Sequence, residues 1–98
     1  MELRRHGIQR SIHGKTVRVC VTISEGRIVN AVFTGDFFGE PVEAFQELSR
    51  VLAGLKITEN EKIDEVIDKF FEEKVTWLAG ASPEDFKLAL IKAIEGAG

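Results

Sequence analysis

The sequence predicts an α+β domain: a three-stranded antiparallel sheet followed by three helices packed on one of its faces. Three observations predict it. Residues Thr16 to Ser24 alternate apolar and polar with period two, the repeat of a strand buried on one side. From Glu40 onward the apolar residues recur at three- and four-residue spacing, the repeat of amphipathic helices. Strands therefore come first and helices afterwards, an order that belongs to α+β domains rather than to βαβ units. With 98 residues the chain is expected to form a single domain over 1–98, near the commonest domain size.

The first segment, Leu3 to Ile12, alternates weakly, with Ile8 and Ile12 at one parity and Arg10 between them. It reads as a short edge strand whose basic residues discourage edge-to-edge pairing. His13-Gly14-Lys15 reads as a tight turn, since glycine supplies the positive φ that a short hairpin needs. In the next strand Val17, Val19, Val21 and Ile23 share one face, and Arg18, Cys20, Thr22 and Ser24 share the other. Glu25-Gly26 turns the chain back. The return strand, Arg27 to Thr34, puts Val29, Ala31 and Phe33 on one side and Ile28, Asn30, Val32 and Thr34 on the other. Apolar residues on both sides make this the expected central strand.

The chain then passes through Thr34-Gly35-Asp36-Phe37-Phe38-Gly39. Adjacent side chains in an extended segment point to opposite sides. One of the two rings is therefore expected to anchor the first helix to the sheet, and the other to be exposed as an interface anchor. Asp36 reads as a turn acid that binds nearby backbone N–H groups, or as the residue that fixes the loop presenting Phe37 or Phe38 to another molecule.

Glu40-Pro41 is expected to open the first helix, because proline at the first position loses no hydrogen bond there. Val42, Phe45, Leu48, Val51 and Leu52 form its apolar face, and Gly54 stops it. Thr58 and Glu61 have the capping-box spacing for a second helix, with Ile63, Val66, Ile67, Phe70 and Phe71 as its buried stripe, continued by Trp77 and Leu78 to a stop at Gly80. Trp77 reads either as a core residue or as a second exposed anchor. Ser82-Pro83-Glu84-Asp85 starts the last helix with a capping hydroxyl, a first-position proline and acids at the positive end of the dipole. Phe86, Leu90 and Ile94 line one side of it.

The formal net charge is −3, so no global positive field draws nucleic acid or an anionic membrane. Arg4, Arg5, Arg10, Lys15 and Arg18 nevertheless gather in the first hairpin, while the acids lie mostly in the helices. This asymmetry is either a solvated polar face or a docking surface for an acidic partner. The only cysteine, Cys20, has no internal disulfide partner. The charged N-terminus does not read as a signal peptide, and no segment approaches the ~20 apolar residues that span a bilayer. A cytoplasmic location is expected.

The chemistry-bearing residues are sparse. His6, His13 and Cys20 do not cluster with metal-ligand spacing, and no Ca²⁺-loop pattern occurs. Cys20 lies mid-strand without an adjacent base, so a small strand residue competes with a nucleophile there. No serine elbow and no phosphate-cradling glycine loop is present. Acid pairs such as Glu43 with Glu47 fall on solvated helix faces. These residues describe a small binding or accessory domain with no catalytic and no metal-binding residues.

At Gly35-Asp36-Phe37-Phe38 the sequence resembles the C-terminal accessory domain of lipoate–protein ligase A, which in some archaea is a separate small polypeptide. The resemblance runs from the Gly14-Lys15 turn through the strand Val17 to Ile23 and the return strand Gly26 to Thr34. It continues through the proline-led helix to Ala53-Gly54 and the run Gly80-Ala81-Ser82-Pro83-Glu84-Asp85-Phe86. The chain departs from the family's frequent two-glycine turn with His13-Gly14, and Cys20 interrupts the apolar strand.

The resemblance implies a fold similar to that of the iron–sulfur scaffold and sulfur-acceptor proteins. It implies an accessory subunit, without catalytic residues, that forms a heterodimer with a catalytic lipoate–protein ligase subunit. Together the two would activate lipoate with ATP to lipoyl-AMP before transfer to a lysine of a lipoyl carrier protein. Lipoate and ATP, with Mg, would sit in the catalytic subunit, and no cofactor would bind this chain alone. The expected partner-binding residues are Gly35, Asp36, Phe37, Phe38 and Lys15. The alternative suggested by the shared fold is a sulfur-acceptor protein of iron–sulfur assembly using Cys20.

Overall fold

The computed structural model describes residues 2–96. Three strands, β1 (Glu2–Arg10), β2 (Thr16–Ser24) and β3 (Arg27–Gly35), form an antiparallel sheet in the order β1-β2-β3. The central strand is therefore β2, not the return strand as its two-sided apolar pattern suggested. The turns close because Gly14 (φ 105°) and the pair Glu25 and Gly26 (φ 51° and 76°) adopt positive φ. The first strand starts one residue earlier than expected, at Glu2, and ends at Arg10, before Ile12, which is exposed in the turn.

The inward face of β2 follows the alternation: Val17, Val19, Val21 and Ile23 are all buried. In β3 the alternation fails for a local reason. Thr22 faces Asn30 but Ile23 faces Ile28, so Val29 is an extra residue in a β-bulge. The bulge flips the parity, so that Ile28 joins Ala31 in the core and Val29 is left exposed.

A second, two-stranded sheet was not expected. It pairs β4 (Phe38–Glu40) with β5 (Trp77–Ala79). Glu40 thus belongs to a strand and Pro41 to a turn. Helix α1 (Ala44–Leu52) begins three residues after the proline, with the Ala44 N–H donating to the Pro41 carbonyl at 3.1 Å. Its buried residues are Ala44, Leu48 and Leu52, while Val42 and Val51 of the expected stripe face solvent. Helix α2 (Asn60–Lys74) starts without a capping box: its N-cap position is Glu59 rather than Thr58, and the Glu59 carboxylate accepts the Lys56 N–H at 3.1 Å. It ends at Lys74, so Trp77 and Leu78 do not extend it. Helix α3 (Pro83–Ile94) starts as its sequence predicts: the Ser82 N–H and hydroxyl donate to Asp85 Oδ2 at 2.8 and 3.0 Å.

Helix α3 lies on β1 and β2, α1 lies along β3, and α2 packs against both helices. A Cβ at Gly7 would stand 2.0 Å from the Ala89 carbonyl oxygen, so only glycine lets α3 approach β1 this closely. At the other edge Ser49 Oγ of α1 accepts the Ala31 N–H at 2.9 Å. Between α2 and α3, Lys87 pairs with Asp68 at 2.7 Å, and this bond raises the lysine above its ordinary pKa. The core centres on Phe86, which is fully buried, with the rings of Phe71, Phe37 and Phe33 at 4.8, 4.9 and 5.3 Å. The α+β class therefore holds, and among the described residues the helices lie on one side of the main sheet.

Candidate partner-docking site

Sheet β1-β2-β3 ends where three close backbone contacts meet. A Cβ at Gly35 would stand 2.1 Å from the Thr16 carbonyl oxygen, so glycine is needed for β3 to leave the sheet there. Asp36 Oδ1 then accepts the Thr16 N–H at 3.0 Å. This bond is the main reason its carboxyl lies below the ordinary value; desolvation opposes it, and its own backbone N–H and the charges of Lys15 and Arg18 add to it. The Lys15 N–H donates to the Gly80 carbonyl at 3.0 Å, and the Lys15 stem packs on Gly80, where a Cβ would clash.

The alternation expected for the two aromatics is observed. Phe37 turns inward, its ring 4.9 Å from that of Phe86 and 5.8 Å from that of Phe45. Phe38 turns outward and is 64% exposed. Pairing of Phe38 with Ala79 and of Glu40 with Trp77 puts Phe38 and Trp77 on the same side of the ribbon. Trp77 is 55% exposed, which sets aside its core reading. Val42 beyond the ribbon is 68% exposed. Gly39 faces the other way, where a Cβ would stand 2.4 Å from the Phe45 ring. The Thr76 N–H donates to the Glu40 carbonyl at 2.8 Å and fastens the ribbon's open end.

The structure thus brings Gly35, Asp36, Phe37, Phe38 and Lys15 into one corner, although Lys15 is 20 or more residues away in sequence. Gly35 and Asp36 shape the corner, Phe37 anchors it, and Phe38 is the ring it presents. What sequence reasoning missed is the ribbon itself. Three-residue strands give too short a pattern to register, and the exposed Val42 was absorbed into a helix it does not join.

A shallow 220 Å³ groove lies between Phe37, Phe38, Gly39, Val42 and Phe45. A second, of 400 Å³, shares Val42 and Phe45 with it and runs along β3 past Val32, Phe33 and Ser49. Neither lining carries a cation, so neither fits the phosphates of a nucleotide. A larger 590 Å³ depression at the start of α2 is open and lined by Glu59, Glu61, Lys62 and Glu65, a solvated polar surface. Among the described residues no group of three or more His, Cys, Asp or Glu side chains comes together to hold a metal ion. Cys20 lies half-buried in β2, between His6 of β1 and Val32 of β3. Exposed aromatic and aliphatic side chains on a well-fastened ribbon suit the binding of another protein's apolar surface.

Comparison with known proteins agrees with the fold. The profile of a family described as the bacterial lipoate protein ligase C-terminus matches residues 7–90. Lipoate-protein ligase A subunit 2 of Thermoplasma acidophilum is 35% identical over 74 residues, which cover 76% of this chain and 74% of that protein. Among solved structures, a bi-partite lipoate protein ligase and its E2 lipoyl domain from the same organism contains a similar chain. That chain superposes with a TM-score of 0.78 at 30% identity, over 92% of this chain and 97% of its own length. Profile, relative and architecture agree over most of the sequence, and the chain belongs to the lipoate–protein ligase C-terminal domain family.

Proposed function

We propose that this chain is the accessory subunit of a bipartite lipoate–protein ligase and acts by docking on a separate catalytic subunit. The observation that carries this reading is the match, over nearly the whole length of both chains, to one part of a two-part ligase. The exposed Phe38–Trp77 ribbon supports it, because such a surface on so small a domain calls for a protein partner. In this reading lipoate, ATP and its Mg bind the catalytic subunit. There the lipoate carboxylate attacks the α-phosphorus of ATP, pyrophosphate leaves, and lipoyl-AMP forms. A carrier-domain lysine then attacks the acyl carbon and AMP leaves, so the lipoyl carrier meets this chain only indirectly.

The accessory role follows from the intermediate's chemistry. A mixed anhydride hydrolyses if water reaches it. A small domain seated beside the pocket holds its loops closed during activation, a gating role. The ring presented by Gly35, Asp36, Phe37 and Phe38, with Lys15 beside it, forms the contact. Among the described residues no helix is long and apolar enough to cross a membrane, which is compatible with work in the cytoplasm. The test is lipoyl-AMP formation by the catalytic subunit of the same genome, with and without this chain. Formation that depends on the chain is expected. Equal formation in both tubes would sink the reading.

A further inference from the structure

The side of the main sheet that no helix covers has its own chemistry. The strand register assigns its members, since residues paired across strands share a face. Arg4 lies across from Thr22, His6 from Cys20 and Ile8 from Arg18, and Arg10 closes the row beside Thr16. Of the basic residues in the first hairpin, Arg4, Arg10 and Arg18 are therefore on this face, with Lys15 at its corner. Arg5 has the opposite parity and reaches toward Gly96 instead.

These arginines are exposed and uncompensated. Both ion pairs among the described residues belong to Lys87. Glu2, across from Ser24 at the far end, is the one acid in the ladder on this face. Asp36 stands near Arg18 at the other end, already bonded to the Thr16 N–H. The acids Glu47, Glu61, Glu65, Glu72 and Glu73 lie on helices across the sheet. A chain of net charge −3 is thus polarised through its thickness, positive on the bare sheet and negative on the helices.

The composition of the face is also not that of a merely solvated one. Ile8 and Val32 stand 52% and 53% exposed among the arginines. The strand cations here are arginines and none is a lysine, the bias of protein interfaces. At its Arg18 end the face runs into the Lys15 and Asp36 corner and so into the docking site described above.

We propose that this bare face is the electrostatic half of the docking surface and takes an acidic surface of the catalytic ligase subunit. The Phe38–Trp77 ribbon supplies apolar contact, and Arg4, Arg10 and Arg18 supply steering and orientation. The proposal rests on the accessory-subunit reading. It goes further by naming the face, the sign of the partner's charge and the orientation in which the two meet.

Cys20 makes the test direct, because it is the chain's one cysteine and sits at the centre of this face. Its alkylation by N-ethylmaleimide is followed by mass spectrometry, alone and with saturating catalytic subunit. Affinity is measured by calorimetry at about 50 and about 500 mM salt for the unsubstituted chain, Arg18→Glu and Lys62→Glu. Lys62→Glu makes the same charge change on α2, across the sheet. Circular dichroism checks that each variant is folded, and lipoyl-AMP formation is followed in parallel. Expected are at least about tenfold slower alkylation in the complex and weaker binding at high salt. A loss of about tenfold or more is expected for Arg18→Glu, with little change for Lys62→Glu. If the chain binds and stimulates the ligase while Cys20 reacts at its free rate and the two variants bind alike, the proposal is overturned and the accessory-subunit reading stands. If the unsubstituted chain neither binds nor stimulates, both fall.

Discussion

The rings of Phe37 and Phe86 meet edge to face at 4.9 Å, and the next residue after Phe37 points the other way into solvent. The two neighbours therefore divide stability from recognition. Phe37→Ala removes a ring from the aromatic cluster and is expected to cost about 2–4 kcal/mol, somewhat below the ~3–5 of a fully buried phenylalanine. Phe38→Ala is expected to stay within about 0.5 kcal/mol of the parent. Urea unfolding of the two single variants checks this. Equal losses would mean that the outward ring is structural.

Recognition should show the reverse order. Phe38→Ala and Trp77→Ala are each expected to weaken binding to the catalytic subunit by about tenfold or more, as central aromatic anchors do, with melting temperatures near that of the parent. Titration of the catalytic subunit by each variant, read as lipoyl-AMP formed, measures it. Full stimulation at the parent's half-saturating concentration would remove the ribbon from the interface.

Asp36 gives a pH-dependent prediction. Its folded-state pKa lies below the 3.8 of the free side chain, chiefly because the carboxylate accepts the Thr16 N–H. A depressed folded value means that the anion stabilises the fold above the unfolded pKa, and that this contribution is lost as pH falls through the folded one. Asp36→Asn is therefore expected to be less stable than the parent near neutral pH, with the gap narrowing as pH falls through the folded pKa of Asp36. Denaturation midpoints across that range test the sign; a gap that widens in acid would contradict it.

Gly39 is expected to tolerate no side chain while Phe45 is present. Gly39→Ala places a methyl 2.4 Å from the Phe45 ring, and overpacking of this kind costs about 1–3 kcal/mol. In a Phe45→Leu background the same change should cost less, with a coupling of about 1 kcal/mol. Additive losses in the double variant would show that the ribbon, not the ring, gives way.

Much of this architecture is legible in the sequence where one local signal acts alone. The buried face of β2 follows from period-two valines, and the start of α3 follows from Ser82, Pro83 and Asp85. The failures occur where two signals compete. Pro41 resembles a helix start, but the Glu40 carbonyl is already used by the Thr76 N–H across the ribbon, which keeps residue 40 in a strand. Ile28 has the wrong parity for the core until the bulge at Val29 corrects it, and nothing in the alternation announces a bulge. The capping box of Thr58 and Glu61 does not form, because the helix starts one residue later, with Glu59 at the N-cap position. For the candidate site, the opposite senses of Phe37 and Phe38 follow from their adjacency, but which of the two turns inward is set by the packing of Phe37 on Phe86 and Phe45. Nor is the involvement of Trp77 legible, since it depends on pairing with a strand 37 residues earlier (Glu40↔Trp77).

The exposure of Trp77 also has an optical consequence. The chain contains one tryptophan and no tyrosine, so that indole supplies nearly all of its ultraviolet fluorescence. In the free domain it emits from a wet surface, and unfolding shifts its colour little. Seating of the ribbon in an apolar cleft would move the emission to shorter wavelength. The molecule thus carries its own dye, which responds to occupancy rather than to folding.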